Sequence, residues 1–340
     1  MFCANLMKLN LRIVEFLLPG MPKVFVTRKI PEAGIKLMKD AGLEVEVSDF
    51  DGVLPRETLL AKVKGVDAIL SLLTDKMNQE ILDATGPQLK IVANYAVGYD
   101  NIDVKTLTER GVIVTNTPEV LTESVAEHTI ALIFALAHRI VESDQYMRDG
   151  KYVGWAPMLF LGNDLVGKTL GLVGMGRIGG AVARRLCDGF QMKILYYDRA
   201  RSEELEKQYK MEYVDLETLL KNSDFVSIHL PMTLETKHLI GEPQFKMMKK
   251  TAYLINTARG PIVDENALVA ALKNGDIKGA GLDVYEQEPK MAEGLAQLPN
   301  TVLTPHTASA TEETRGAMSE LAAKNIIAVL SGQAPITPVK

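Results

Sequence analysis

The stretch KTLGLVGMGRIGGAVARRL, residues 168–186, constrains the fold of this 340-residue chain more than any other segment. An apolar run ends at Gly174, and Gly176 and Gly179 follow before residues typical of a helix. This G-x-G-x-x-G spacing lets a strand turn tightly, lets a phosphate approach the backbone, and lets the next helix pack closely. The free N–H groups and positive dipole at that helix N-terminus attract an anion. The pattern therefore predicts a strand–turn–helix unit that binds the pyrophosphate of a dinucleotide, with a ligand-free structural turn as the alternative.

An acidic residue supports this interpretation and bears on which dinucleotide binds. Asp198 ends the next strand-like segment, 24 residues after Gly174, where a ribose-binding carboxylate is expected. A carboxylate there bonds the adenosine ribose hydroxyls and repels a 2′-phosphate, which favours NAD. Arg199 and Arg201 lie beside it and would partly offset that repulsion. NADH is therefore the expected cofactor, and NADP stays open as an alternative.

Strand-like and helix-like segments alternate along most of the chain. The first set of strand-like segments is KVFVT, LEVEV, DAILSLL, LKIVANYAV and GVIVTN. The second set begins after residue 165 and comprises TLGLVG, KILYY, FVSIHL, AYLINTA, IKGAGLDV and TVLTPH. Such alternation is typical of βα units in parallel sheets. We therefore expect an α/β protein with two doubly wound domains, a Rossmann NAD domain and a flavodoxin-like substrate domain.

The order of the segments suggests how the two domains are connected. A long helix is predicted over 122–142, between the two sets of strands. The final helical segment, TEETRGAMSELAAKNIIAVLSG, follows the second set and would return to the first domain. We therefore expect a Rossmann domain over 120–307, inserted into a discontinuous substrate domain formed by 21–119 and 308–340.

Composition argues against several other classes of protein. The net charge of −5 and the lack of a basic cluster argue against a nucleic-acid partner. Two cysteines, Cys3 and Cys187, provide neither a disulfide framework nor the spacing of a metal site, so no metal is expected. The longest apolar run, TIALIFALA, is too short to cross a bilayer, so no membrane association is expected.

The first twenty residues are interpreted as an extension ahead of the first domain. Lys8, Arg12 and Glu15 interrupt their apolar character, and no small-residue cleavage site follows. The segment beginning at Met21 has the pattern of a first strand. A cytoplasmic location is the corresponding expectation.

Three polar residues follow strands of the second unit, where open α/β sheets bind their ligands. Arg259 closes INTARG, Glu288 lies in YEQEP after a strand, and His306 ends TVLTPH. Each alone has an ordinary explanation: an arginine that caps carbonyls, a surface glutamate, or a histidine with satisfied hydrogen bonds. Together they offer a cation for a carboxylate, a proton donor that titrates near neutrality, and an acid that orients and charges it.

These motifs resemble those of the D-isomer-specific 2-hydroxyacid dehydrogenases over nearly the whole chain from Met21. The resemblance is carried by GLVGMGRIG, INTARGPIVDENAL, GLDVYEQEP and LTPHTAS, and the order Arg, Glu, His matches the family's catalytic triad. Within the family the similarity is greatest to glyoxylate (hydroxypyruvate) reductases. It lies in PKVFVTRKIPEAGI, IVANYAVGYDNID, VTNTPEVLT and WAPMLFLGNDLVGKTLG.

The resemblance implies NAD(P)H-dependent reduction of a small 2-oxoacid, glyoxylate and also hydroxypyruvate. It implies His306 as proton donor, Glu288 as the residue that stabilises its charged form, and Arg259 as the ligand of the substrate carboxylate. Backbone N–H groups of Val97 and Gly98 would bind the same carboxylate.

The resemblance also assigns residues to the two ligands. Leu73 would line a small substrate pocket, and Asp283 would hold the nicotinamide carboxamide. Val125 stands where many relatives carry a threonine that faces the nicotinamide. The full set of expected cofactor-binding residues is Gly174, Gly176, Arg177, Ile178, Gly179, Asp198, Arg199, Ala200, Thr257, Ala258, Arg259, Asp283, His306, Thr307 and Ala308.

The only tryptophan lies in the apolar but irregular segment GWAPMLFLG. A subunit on its own would expose an apolar patch there, and such patches usually mark an interface. Together with the family resemblance, this predicts a homodimer in which Trp155 of one subunit reaches the substrate pocket of the other.

Several alternatives stay open at this point. The same scaffold serves D-lactate, 3-phosphoglycerate, formate and phosphite oxidation, although formate oxidation needs no histidine proton donor. A different class, the NAD-sensing corepressors, uses the scaffold mainly to bind partners and can retain the three residues. Turnover of NADH with glyoxylate would separate an enzyme from such a binding protein.

Overall fold

The structure is a computed structural model that describes residues 20–339. The predicted extension over residues 1–20 falls almost wholly outside these residues, as does Cys3. Two parallel sheets, of five and seven strands, account for the strands assigned to sheets. The predicted α/β class with two doubly wound sheets is confirmed. The predicted domain limits, at 119/120 and 307/308, stay a prediction.

The first sheet has the strand order β2-β1-β3-β4-β5, which is the flavodoxin-like order. Its central strands are apolar and almost fully buried, as expected for parallel strands covered by helices on both faces. Its strands are β1 (Lys23–Val26), β2 (Glu44–Val47), β3 (Ala68–Ser71), β4 (Ile91–Asn94) and β5 (Ile113–Thr115).

The second sheet has the order β12-β11-β10-β9-β6-β7-β8, the doubly wound arrangement of a dinucleotide-binding domain with one further strand at the edge. The order reverses between β6 and β9, and in such sheets the ligand crevice opens at that point. Its strands are β6 (Thr169–Val173), β7 (Lys193–Tyr197), β8 (Glu212–Tyr213), β9 (Phe225–Ile228), β10 (Tyr253–Asn256), β11 (Gly279–Leu282) and β12 (Thr301–Leu303).

Helices connect the strands and cover both sheets. In the first unit they are α1 (Glu32–Asp40), α2 (Arg56–Lys62), α3 (Gln79–Thr85) and α4 (Val104–Glu109). The remaining helices are α5 (Thr122–Ala137), α6 (Ile140–Arg148), α7 (Arg177–Phe190), α8 (Glu203–Tyr209), α9 (Leu216–Asn222), α10 (Glu242–Met247), α11 (Glu265–Asn274) and α12 (Glu312–Leu330).

Helix α12 comes last in the chain but packs against α1, β3 and β4 of the first sheet. The approach is close because α1 has a glycine at the crossing, Gly34. A Cβ atom there would overlap the carbonyl of Ser319, and the Gly34 N–H donates to the Ser319 hydroxyl over 3.1 Å. The fold therefore brings the first turns of α12 to the ends of strands that lie more than 200 residues earlier.

The helix predicted over 122–142 is wrong in one respect, because it is two helices. Helix α5 ends at Ala137, and Arg139 adopts a left-handed backbone with φ of 53° before α6 begins. The Arg139 guanidinium binds Glu142 and lies 5.0 Å from the ring centroid of Phe160. These contacts hold a conformation that costs about 1–2 kcal/mol for a residue other than glycine.

Within residues 20–339, no single helix is long and apolar enough to span a bilayer. Helices α5 and α6 reach the required length and composition only as a pair that is bent by 64°.

Candidate active site

A cleft of about 860 Å³ opens between the carboxyl ends of the two sheets. The first sheet contributes the turn after β4, and the second contributes the glycine turn and the segments that follow β10 and β12. Of the residues predicted from the sequence, those that line the cleft are Leu73, Val97, Gly98, Gly176, Arg177, Ile178, Arg199, Thr257, Ala258, Arg259, Asp283, His306 and Ala308.

The glycine turn has the geometry that the motif predicts. Gly174 has φ of 106°, and a Cβ there would lie 2.8 Å from the carbonyl carbon of His229. A Cβ on Gly179 would overlap the Gly174 carbonyl, whereas the space beside Gly176 is open. Helix α7 begins directly after this open glycine, so its first N–H groups face an accessible crevice. The turn therefore fits the pyrophosphate of a dinucleotide.

Asp198 is tied to the glycine turn rather than exposed in the cleft. Its carboxylate accepts from the Met175 N–H over 2.7 Å and from the Arg199 N–H over 2.6 Å. Arg201 makes two bonds to Glu206, at 2.8 and 2.7 Å, and these lower the pKa of Glu206 to about 2. Arg201 is therefore already neutralised, which leaves Arg199 as the cation of this group that lines the cleft.

His306 and Glu288 form a pair at the edge of the cleft. The imidazole Nδ1 lies 2.9 Å from a carboxylate oxygen of Glu288, whose other oxygen accepts from the Tyr285 N–H over 3.1 Å. His306 has a left-handed backbone with φ of 54°. Within residues 20–339, Nε2 of His306 has no hydrogen-bond partner. The pair is therefore oriented with one ring nitrogen engaged and the other available.

Asp283 holds the loop that carries His306. The Asp283 carbonyl accepts from the His306 N–H over 2.8 Å, and the two carboxylate oxygens accept from the N–H groups of Thr307 and Ala308, each over 2.8 Å. The Thr304 hydroxyl donates to the same carboxylate over 2.6 Å. Burial of Asp283 opposes its ionisation, but these hydrogen bonds and His128 outweigh burial and hold its pKa below the usual range.

Arg259 lies against the turn after β4. Its Nε donates to Asp100 over 3.0 Å and Nη1 donates to the Ala258 carbonyl over 2.8 Å. A Cβ on Gly98 would overlap the guanidinium, so only glycine allows this approach. The residue after the arginine, Gly260, packs equally closely on the Tyr285 backbone. Arg259 is thus fixed between the turn after β4 and the loop that carries Glu288.

The turn after β4 presents backbone donors to the cleft. The carbonyl of Val97 accepts from the Asn116 side chain over 2.8 Å, and that of Gly98 accepts from Asn94 over 2.9 Å. The N–H groups of Val97 and Gly98 have no acceptor among the residues that the structure describes. With Arg259 beside them, these donors have the charge and hydrogen-bonding capacity that a carboxylate ligand requires.

His229 also lines the cleft, although sequence analysis does not select it. Its Nε2 lies 2.9 Å from the Ser227 hydroxyl, and burial lowers the pKa of His229 to about 4, so the ring is neutral at pH 7. It directly follows β9, so the same carboxyl-end rule that selects His306 could have found it. Tyr95, Asp100 and Arg315 in the same cleft carried no sequence signal.

Some predicted residues do not line this cleft. Trp155 is 82% exposed, and Val153 and Met158 in the same segment are 97% and 75% exposed. Glu288 contacts Nδ1 of His306 and does not itself line the cleft. Gly179 lies in the first turn of α7, and Gly174, Asp198, Ala200 and Thr307 lie in the surrounding turns. None of these five residues lines the cleft. Val125, at the position that departs from the family pattern, does line it.

No group of three or more His, Cys, Asp or Glu side chains is placed to hold a metal ion in the part of the chain that the structure describes.

Comparison with known proteins agrees with this geometry. The model of the family "D-isomer specific 2-hydroxyacid dehydrogenase, NAD binding domain" matches residues 130–308. The chain is 54% identical over 318 residues to glyoxylate reductase of Thermococcus litoralis, covering 92% of this chain and 95% of that protein. It is 52% identical over 322 residues to glyoxylate reductase of Pyrococcus horikoshii, covering 94% and 96%.

Solved structures give the same result. A protein of Thermus thermophilus superposes with a TM-score of 0.88 at 44% identity, covering 94% of this chain and all of that one. The NADPH-dependent glyoxylate/hydroxypyruvate reductase of Sinorhizobium meliloti, in complex with NADP and malonate, has a TM-score of 0.82 at 37% identity, covering 94% and 96%.

The fold and these relatives show that the chain is an NAD(P)-dependent oxidoreductase. The chain belongs to the D-isomer-specific 2-hydroxyacid dehydrogenase family. The resemblance to glyoxylate reductases that the sequence indicated is confirmed by these relatives.

Proposed function

We propose that this protein uses NADH to reduce glyoxylate, and also hydroxypyruvate, to the corresponding 2-hydroxyacid. The observation that carries the proposal is the His306–Glu288 pair, 2.9 Å apart, in the same cleft as Arg259 and the free backbone donors after β4. When bound, the nicotinamide supplies the hydride; the residues below bind the substrate and supply the proton.

The substrate carboxylate binds where three donors converge. The N–H groups of Val97 and Gly98 have no acceptor within residues 20–339. The carbonyls of the same two residues accept from the side chains of Asn116 and Asn94, and these bonds fix the turn. Arg259 adds a guanidinium that contacts the same glycine. These fixed donors orient a 2-oxoacid and polarise its carbonyl.

The proton comes from Nε2 of His306, because Nδ1 faces Glu288. Glu288 holds the ring in that orientation and stabilises the imidazolium form by its negative charge. As the substrate carbonyl carbon gains its hydride, the oxygen gains charge and takes the proton from Nε2. A C–H bond and an O–H bond form, the carbonyl π bond is lost, and the imidazole is left neutral.

The preference for NADH rests on the group around Asp198. A carboxylate bound to the glycine turn has lone pairs left for the ribose hydroxyls and repels a 2′-phosphate. Arg201 is neutralised by Glu206, so only Arg199 favours a 2′-phosphate. Asp283 is one of the residues that line the cleft, and its Oδ2 accepts from the Ala308 N–H. This oxygen is proposed to accept an N–H of the carboxamide as well.

The exposed apolar residues of the segment 140–166 support a homodimer. This segment includes α6 and the stretch around Trp155. Its large, exposed side chains are Ile140, Val141, Met147, Tyr152, Val153, Trp155, Met158, Leu159, Leu161 and Val166. A surface of this kind is stable in water when a second copy covers it. We propose that Trp155 then lines the substrate pocket of the partner subunit.

A substrate panel tests the reaction. Oxidation of NADH is followed with glyoxylate, hydroxypyruvate and pyruvate, and then with NADPH in place of NADH. We expect turnover with the first two substrates and kcat/KM at least about tenfold lower with pyruvate. Pyruvate turnover equal to or above glyoxylate would contradict the assignment. A protein that binds NADH but turns over none of them would support the corepressor-like alternative.

Light scattering on the wild type tests the dimer, and the kinetics of a matched pair of variants test the role of Trp155. Trp155→Ala should raise the substrate KM or change substrate preference while leaving NADH affinity within about twofold. Trp155→Phe, which keeps an aromatic ring, should lose less. A wild-type monomer at micromolar concentration with full activity would refute this role.

A further inference from the structure

One of the arginines that line the cleft, Arg315, has no role in the reaction proposed above. Arg315 lies in the first turns of α12 and is half-buried. Among residues 20–339, no carboxylate lies within ion-pair distance of it, and its guanidinium donates to no protein acceptor. Arg259, in contrast, is bound to Asp100 and to the Ala258 carbonyl. A half-buried guanidinium has lost part of its hydration, and an oxygen acceptor from a ligand would compensate for that loss.

The position of Arg315 is fixed relative to the turn after β4. The Tyr95 hydroxyl donates to the Arg315 carbonyl over 2.6 Å, and the guanidinium carbon lies 6.0 Å from the centroid of the Tyr95 ring. Tyr95 is buried, its pKa is raised to about 12 by that burial, and its ring is therefore neutral and offers a π face. Val97 and Gly98, whose N–H groups have no acceptor in the described part of the chain, follow Tyr95 by two and three positions. Arg315 and the carboxylate donors thus share one rigid wall of the cleft.

The other cations of the cleft have other partners or positions. Arg177 opens α7 in the glycine turn and pairs with Glu119 over 2.9 Å. Arg199 follows β7, beside the proposed ribose site. Both belong to the side of the cleft proposed for the dinucleotide. Arg315 is the arginine on the substrate side that binds neither the proposed carboxylate nor an acidic side chain within the described residues.

We propose that Arg315 determines substrate specificity by binding an oxygen on C3 of the substrate. The inference rests on the proposed function. The N–H donors after β4 and Arg259 bind the carboxylate, and His306 donates its proton to the carbonyl oxygen. Glyoxylate has no further oxygen that could accept a hydrogen bond from Arg315. A 2-oxoacid with a hydroxyl on C3 presents one further acceptor. The substrate class that satisfies all three groups is the C3-oxygenated 2-oxoacid, and an apolar methyl at C3 leaves Arg315 without a partner.

The test compares substrates within each variant. Arg315→Met keeps much of the length of the side chain and removes its charge, whereas Arg315→Lys keeps the charge. With one cofactor, kcat/KM is measured for hydroxypyruvate and for glyoxylate. We expect Arg315→Met to lower the value for hydroxypyruvate by about tenfold to a hundredfold, which corresponds to one hydrogen bond to a charged group. Glyoxylate should change by less than about threefold, and Arg315→Lys should lie between Arg315→Met and wild type.

Two outcomes distinguish the possible failures. Equal losses of kcat/KM with both substrates would overturn the inference, because Arg315 would then only help to position α12 against the end of β4. Tyr95→Phe is the control for that structural effect, since it removes the bond to the Arg315 carbonyl and keeps the ring. We expect Tyr95→Phe to lower kcat/KM equally for both substrates. If Arg315→Met does not fold, Arg315→Gln supplies the same comparison. Wild-type protein without glyoxylate turnover would instead overturn the proposed function.

Discussion

Asp283→Asn should unfold more readily and lose activity, although Asp283 carries none of the three catalytic roles. In the wild type, one carboxylate oxygen accepts from the Thr307 N–H and the other from the Ala308 N–H, each over 2.8 Å. An asparagine amide has only one acceptor oxygen, so a backbone N–H would face an NH₂ group in a buried site. Leaving one buried donor unsatisfied costs about 1–3 kcal/mol of unfolding free energy. A domain of this size then loses about 2–4 °C in Tm for each kcal/mol.

The activity should fall for a geometric reason. The loop held by Asp283 carries His306, whose own N–H donates to the Asp283 carbonyl. A displacement of about 1 Å at a catalytic group costs about a hundredfold in rate. We therefore expect kcat with glyoxylate to fall by about tenfold to a hundredfold in Asp283→Asn.

Asp224→Asn is a matched control at the opposite end of the sheet. Asp224 precedes β9, accepts from the Thr169 N–H and from Lys249, each over 2.9 Å, and like Asp283 has a lowered pKa despite burial. Its substitution should lower Tm without lowering kcat. An Asp283→Asn protein with wild-type Tm and kcat, or an Asp224→Asn protein that loses as much kcat, would refute the reasoning.

The pH dependence adds a further check on Asp283. Its pKa is lower in the folded than in the unfolded chain, so its contribution to stability is present above the unfolded value of about 3.9. That contribution disappears as the pH falls through the folded value. The difference in Tm between wild type and Asp283→Asn should therefore be constant near neutrality and shrink below about pH 4.

Three further predictions concern the other parts of the site. Glu288→Gln should move the pH–kcat profile toward acid, because the imidazolium of His306 loses its charged partner, and an unchanged profile would remove that role. Asp198→Ala should improve kcat/KM for NADPH relative to NADH, and wild-type preference for NADPH would contradict the argument. Gly260→Ala should cost about 1–3 kcal/mol and most of the activity, because a Cβ would overlap the backbone of the loop that carries Glu288. Gly189→Ala, with open space around it in α7, is the control, which should keep wild-type kcat.

The fold was predictable because its signals are local. The alternation of strand and helix segments follows from short stretches of sequence, and the two parallel sheets confirm the α/β class that it predicts. The glycine turn and the residues at the carboxyl ends of the strands are likewise read from short stretches. The break at Arg139 was not predictable in this way. Its left-handed backbone is held by Phe160, which lies 21 positions later and is brought there by tertiary packing.

Parts of the site depend on contacts between distant segments. Arg315 reaches the cleft only because α12 returns to the first sheet, with Tyr95 bonded to a residue 220 positions away. The free N–H groups of Val97 and Gly98 depend on how Asn94 and Asn116 hold the turn. No pattern of residue types in the sequence specifies such hydrogen bonds.

The measurement that tests the central claim most directly is the kcat of His306→Asn with glyoxylate and NADH. Asparagine tolerates the left-handed backbone at this position, where φ is 54°, so the substitution removes the proton donor and retains the loop. We predict that kcat falls by about a hundredfold to ten-thousandfold, the contribution of a positioned general acid. NADH affinity, measured by fluorescence titration, should stay within about threefold of wild type. A His306→Asn protein that keeps more than about a tenth of wild-type kcat would contradict the account.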